Sequence, residues 1–179
     1  MTKYLMLFLL TLPIYSISFS QSIYDYSLLS TGGDTIHLSD FNGKKILFVN
    51  TAGSSLLAYQ YQKLEQLNQL YHDSLVIIAV PSNSFGNEQE TDSAINENVH
   101  NTYGITYKLA ATTEVAGDSI NLVYQWLTKQ NLNGFIENPI TTDFQKFLVG
   151  IDGHIIGVFS SKVDPLSDEL QNAVKSIDE

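Results

Sequence analysis

Two uninterrupted apolar runs, Ile46-Leu47-Phe48-Val49 and Leu75 to Val80, restrict this chain more than any other feature of its sequence. A strand with one wet face alternates apolar and polar residues, whereas a strand covered on both faces is apolar at every position, as in a parallel sheet. Between the runs, Tyr61, Leu64, Leu67 and Leu70 with Tyr71 recur at steps of three and four, the spacing of one helix face. Strand, helix, strand in that order is the unit that builds parallel pairs, because parallel neighbours need a crossover between them.

The flanking segments extend the pattern. Tyr24–Leu28 and Thr35–Leu38, turned at Gly32-Gly33-Asp34, predict an N-terminal β-hairpin. Pro81 ends the second buried strand, and a helix opens near Thr91 with Ile95 and Val99 one turn apart. Asp118 is expected to cap a third helix carrying Ile120, Val123 and Leu127, with Trp126 beside that stripe. Phe147-Leu148-Val149 and Ile155–Phe159 flank Asp152-Gly153, a strong hairpin signal. A last helix is expected from Asp164-Pro165, packing Leu166, Leu170, Val174 and Ile177. The sum is an α/β chain of thioredoxin-like architecture: a central mixed sheet flanked by helices, with an N-terminal β-hairpin.

The first twenty residues fall outside this pattern. Lys3, the apolar run Leu5 to Leu12 and the closing Ser18-Phe19-Ser20 read as a secretory signal cut after Ser20. The run is too short for a bilayer core of about 30 Å, and no Cys follows it to carry a lipid. Residues 1–20 are therefore expected to be a removed signal peptide and 21–179 a single domain, exported to the periplasm or outside the cell. Without Lys3, 8 Lys oppose 19 acidic residues, a net charge of −11, and the chain has no Arg. That sign excludes nucleic acid as a partner and disfavours anionic membranes. With no Cys in the chain, disulfides, thiol catalysis, zinc–thiolate sites and iron–sulfur clusters are excluded.

Four ordered blocks resemble the glutathione peroxidase family. They are Val49-Asn50 with Ala52, Leu57 and Gln60-Tyr61; then Pro81, Asn83 and Phe85-Gly86, similar to FPCNQFG; then Tyr103–Thr106, similar to YGVTF; and Phe144–Val149, similar to the end of WNFTKFLV. The resemblance runs from about Ser22 to Ile177 and implies hydroperoxide reduction, part of the oxidative stress response. In that chemistry a Cys or selenocysteine thiolate attacks the O–O bond, becomes a sulfenic acid and is regenerated by another thiol. Gln, Trp and Asn side chains surround the sulfur with N–H donors.

Matched residue by residue, the catalytic positions fall on Ser55 (the peroxidatic position), Ser84 (Gln), Thr142 (Trp) and Asp143 (Asn), while Ser82 and Val99 stand at two further Cys positions. A Ser hydroxyl is not ionised near neutrality as a thiol partly is, and its oxygen cannot follow sulfur's oxidation ladder. Asp143 places a carboxylate where an anion-stabilising amide is expected. The expectation is an exported glutathione-peroxidase-like pseudoenzyme, its peroxidase activity lost or strongly reduced. Glutathione or thioredoxin would be an electron donor only for an active protein, and no cofactor is expected. The alternative is a non-catalytic module of the cell envelope, whose polar floor of Ser55, Ser84, Thr142 and Asp143 binds a small ligand or a partner protein.

Other chemistries find less support. Gly53-Ser54-Ser55-Leu56-Leu57 lacks the second Gly of a nucleophile elbow, and His37, His72, His100 and His154 lie on different elements, so no hydrolase triad is expected. Glu88-Gln89-Glu90 with Asp92 reads as a solvated helix start, and no metal is expected. The short connection between Lys129 and Phe144 lacks the longer insertion that tetrameric animal relatives use for assembly, which favours a monomer. Stable membrane insertion is not expected after cleavage of the leader.

Overall fold

The computed structural model describes residues 21–176, and the expected signal peptide and Ile177 lie outside them. The two apolar runs become β3 (Lys45–Thr51) and β4 (Leu75–Pro81), hydrogen-bonded in parallel register from Lys45↔Leu75 to Thr51↔Pro81. All seven residues of β3 are buried, which is why the run carries no polar alternation. β6 (Lys146–Val149) pairs antiparallel with the other edge of β3, and β7 (Ile155–Phe159) pairs antiparallel with β6. A two-residue strand, β5 (Lys108–Leu109), completes the sheet in the order β5-β4-β3-β6-β7. The N-terminal hairpin, β1 (Ser27–Leu29) with β2 (Thr35–His37), forms its own ribbon and touches the sheet through a bridge from Ser30 to Ala110.

Strand alternation divides the core into two layers. Leu47 and Val49 pack with Tyr61, Leu64 and Leu67 of α1 (Gln60–Tyr71), Ile95 and Val99 of α2 (Asp92–Tyr103), and Leu170 and Val174 of α5 (Asp168–Lys175). Ile46 and Phe48 face the other way, against Val123, Trp126 and Leu127 of α3 (Leu122–Thr128) and against Leu28 and Ile36 of the hairpin. A one-turn α4 (Gln130–Asn133) follows α3. Among the described residues no helix is long and apolar enough to cross a membrane.

Four expectations need correction. The strand expected at Tyr24–Leu28 begins only at Ser27, because Ile23–Asp25 form a tight helical turn capped by the Ser22 side chain. Leu70 is 62 % exposed; at about 100° per residue, three successive steps of three carry it about half a turn away from Tyr61. The third helix is capped by Asn121, whose side chain accepts from the Val123 amide at 2.9 Å, and Asp118 stays exposed in the preceding loop. The last helix starts from Ser167, not from Asp164-Pro165. Asp164 instead closes a turn before it, accepting from the Leu166 amide at 2.9 Å and from Lys63 of α1. Thr91 does cap α2, and Gly104 ends it at φ +63.

Candidate functional site

The carboxyl ends of β3 and β4 are where the four matched positions were expected to meet. Beyond β3 the chain does not enter α1 at once. Residues 52–59 form a series of turns, with the Ser55 amide donating to Ala52 O and the Ala58 amide to Ser55 O. Ser55 is half-buried, and its Oγ accepts from the Leu57 amide at 3.3 Å, so it shapes a local turn and does not cap α1.

Ser84 is drawn elsewhere. Its hydroxyl donates to Glu114 Oε2 at 2.6 Å, accepts from the Val115 amide at 3.0 Å, and lies 2.9 Å from the Ser82 hydroxyl. These bonds fasten the loop after β4 to the 113–121 segment. No hydrogen bond recorded among the described residues joins Ser55 to Ser84, Thr142 or Asp143.

Thr142 and Asp143 lie on the segment entering β6. The Asn50 side-chain amide donates to Thr142 O at 3.0 Å, and the Phe144 amide donates to Asn50 O at 2.6 Å. Phe144 takes φ +62, the one non-Gly residue with positive φ among those described, and stacks edge-on against Tyr61 at 5.4 Å. Its carbonyl accepts from Nζ of the fully buried Lys146 at 2.9 Å. Burial lowers the Lys146 pKa to about 8, against a smaller upward pull from Asp164. Asp143 is 1 % exposed; Oδ2 accepts from the Asn87 side-chain amide at 2.7 Å, and Oδ1 has no partner.

Two functional-looking residues escaped sequence reasoning. Asn87 is the partner of Asp143. Glu88, expected in a solvated helix start, is 2 % exposed and accepts from the Gly53 amide at 2.7 Å through Oε2. A Cβ on Gly53 would stand 3.3 Å from that oxygen, so the missing side chain lets the carboxylate approach. The Ser54 amide also donates to Asn87 O at 3.0 Å, which clasps the Ser55 loop onto the Asn87-Glu88 loop. The available signal was position: a Glu in the loop directly after a buried strand's carboxyl end.

The Tyr61 hydroxyl is buried beside this group. Burial raises its pKa, with Glu88, Tyr103 and Asp143 adding to the rise; Thr51 opposes it from a position short of hydrogen-bond geometry. The four His residues are exposed, and the His72–Asp73 and His154–Asp152 pairs stand outside the group. A cavity of about 490 Å³ is lined by Val115, Asp118, Gln125, Lys129, Glu137 and Ile140 among others, and includes none of the four matched positions.

Comparison with known proteins agrees with this fold. The family described as Glutathione peroxidase (GSHPx) matches residues 23–128. A glutathione peroxidase of Lactococcus lactis subsp. cremoris is 32% identical over 158 residues, covering 87% of this chain and 99% of that protein. Glutathione peroxidase-like peroxiredoxin gpx1 of Schizosaccharomyces pombe is 35% identical over 156 residues, covering 86% and 97%. The crystal structure of Trgpx in apo form superposes with a TM-score of 0.66 at 28% identity, covering 88% of this chain and 97% of that one. A thioredoxin family thiol:disulfide interchange protein from Chlorobium tepidum shares the fold, with a TM-score of 0.61 at 17% identity over 84% of this chain and 90% of that one.

Proposed function

Because the chain belongs to the glutathione peroxidase family, we propose that it is an exported member in which that family's hydroperoxide reduction is lost or strongly reduced. The observation that carries this reading is the oxygen at Ser55 in a chain without a single Cys. Peroxide reduction by this family's route needs an atom that is nucleophilic near neutrality and can be oxidised and restored, and an un-ionised hydroxyl is neither. The Ser55 hydroxyl is also engaged by the Leu57 amide, and no hydrogen bond recorded among the described residues joins it to a His that could act as its base.

The departures around Ser55 support the same reading. Ser84 turns to Glu114, and Asp143 presents a carboxylate instead of a donor. The alternative role, a non-catalytic ligand- or partner-binding module of the cell envelope, is supported by the buried Asp143 oxygen that has no protein partner. The protein acts as a monomer, with no nucleic acid and no resident cofactor, on either reading.

The test is single-turnover consumption of hydrogen peroxide and an organic hydroperoxide, with glutathione or thioredoxin as reductant and Ser55→Cys as comparator. Wild type is expected to match buffer. A fast Ser55→Cys would show that the pocket still accepts peroxide, and turnover by wild type would sink the proposal.

A further inference from the structure

Six buried side-chain polar atoms among the described residues lack a hydrogen-bond partner. Three of them, Thr51 Oγ1, Tyr61 OH and Asp143 Oδ1, belong to the end of β3 and the residues packed around it. Buried polar groups are almost always paired with protein, water or an ion, so such a concentration marks a place that holds something. Two carboxylates share the place, Asp143 at 1 % and Glu88 at 2 % exposure. The ion pairs recorded among the described residues, Lys63–Asp164, His72–Asp73 and His154–Asp152, involve neither. Sealing two negative charges away from water with no cation beside them is expensive.

We propose that a hard divalent cation of the calcium type is held here by Asp143 Oδ1, the Glu88 carboxylate and the Thr51 hydroxyl, with the Tyr61 hydroxyl bordering it. The hydrogen bonds already in place prepare the two carboxylates for this. Asn87 occupies Asp143 Oδ2 and leaves Oδ1 unused. Gly53 occupies Glu88 Oε2, while Oε1 receives only the Glu90 amide at 3.4 Å. Every donor is oxygen, with no imidazole or thiolate among them, a set suited to Ca²⁺ or Mg²⁺ and not to zinc or copper. Ca²⁺ tolerates an irregular shell of six to eight oxygens, whereas Mg²⁺ demands a near-ideal octahedron that side chains from four separate segments do not readily supply. The inference rests on the ligand-binding reading of this site and names its ligand class.

The experiment strips the purified protein with EDTA and follows its melting temperature while Ca²⁺ or Mg²⁺ is added. Asp143→Asn, Thr51→Val and the exposed control Asp118→Asn are treated alike. Ca²⁺ at roughly a hundredfold over its dissociation constant is expected to raise the wild-type melting temperature by about 5 °C, saturably, with Mg²⁺ weaker. Asp118→Asn should follow wild type, Thr51→Val should respond less, and Asp143→Asn not at all. Equilibrium dialysis with radiolabelled calcium should count one ion per wild-type chain. No shift and no bound ion in wild type, or an equal response in Asp143→Asn, overturns the proposal and leaves buried water as what fills the place. Peroxide turnover plays no part in this readout, so its failure is separate from any failure of the peroxidase reading.

Discussion

The Asn87 side-chain amide donates to Oδ2 of Asp143 across 2.7 Å, joining the loop after β4 to the segment entering β6. Both ends of this bond lie in loops, yet Asp143 is only 1 % exposed. A carboxylate in that position has no water to fall back on, so its one recorded donor carries more weight than a surface bond would.

Replacing Asn87 with Ala removes that donor and leaves the Asp143 oxygens unsatisfied. A lost hydrogen bond to a buried charged group costs about 2–3 kcal/mol. Urea unfolding of Asn87→Ala should show a loss of that size, and the double variant Asn87→Ala/Asp143→Leu should recover part of it.

Lys146 gives the protein a pH dependence of defined sign. Its folded pKa is lowered to about 8 from an ordinary 10.5, so below pH 8 the folded state pays to keep the ammonium charged. Between those values the unfolded chain binds more protons, and stability rises with pH. The full shift corresponds to about 3 kcal/mol. Measured from pH 7.5 to 10, wild type should gain stability relative to Lys146→Met, and a flat difference would count against the assignment.

Ser84 anchors Val115, whose amide donates to its hydroxyl at 3.0 Å. Ser84→Ala removes this bond together with those to Glu114 and Ser82 and should cost about 1–3 kcal/mol. Hydrogen exchange should show the Val115 amide losing protection while amides of β3 and β4 keep theirs.

Gly153 turns the β6–β7 hairpin at φ +83, and a Cβ there would stand 2.8 Å from Cε2 of Tyr24. Tyr24 cannot easily yield, because its hydroxyl donates to Ile151 O at 3.1 Å. Gly153→Ala combines a left-handed backbone with that overlap and should cost about 2 kcal/mol or more. Thermal melting of this variant beside Gly33→Ala, where nothing lies within 4 Å of the added carbon, separates overlap from backbone strain.

What could be read from the sequence follows from what burial imprints on it. β3 and β4 are covered on both faces, so their residues had to be apolar without interruption. The hairpin at Asp152-Gly153 was legible because only a few residue types take its turn. β5 was not, since Lys108-Leu109 is too short to carry a period, and the four residues of α4 have the same difficulty. Two helix starts slipped by three residues because Asp118 and Asp164 have the chemistry of caps, and only the fold decides which nearby oxygen meets the first free amides. In the site, Ser55 and Asp143 were singled out by the matching blocks around them. Asn87 and Glu88 were missed because a polar residue in a polar run looks solvated, and nothing local announces that its partner lies 35 or 56 residues away.

The sole tryptophan of the chain, Trp126, sits wholly within the hairpin-and-α3 layer, and its indole N–H donates to the carbonyl of Gln21 at 2.6 Å. An optical signal from this ring therefore watches one side of the sheet and the first residue after the expected cleavage point. The opposite layer, where Tyr61 and Asp143 lie, is spectroscopically silent at tryptophan wavelengths. A fluorescence transition that precedes the loss of far-ultraviolet dichroism would mean the N-terminal strap peels away first, leaving the layer that carries the oxygen-lined site still folded.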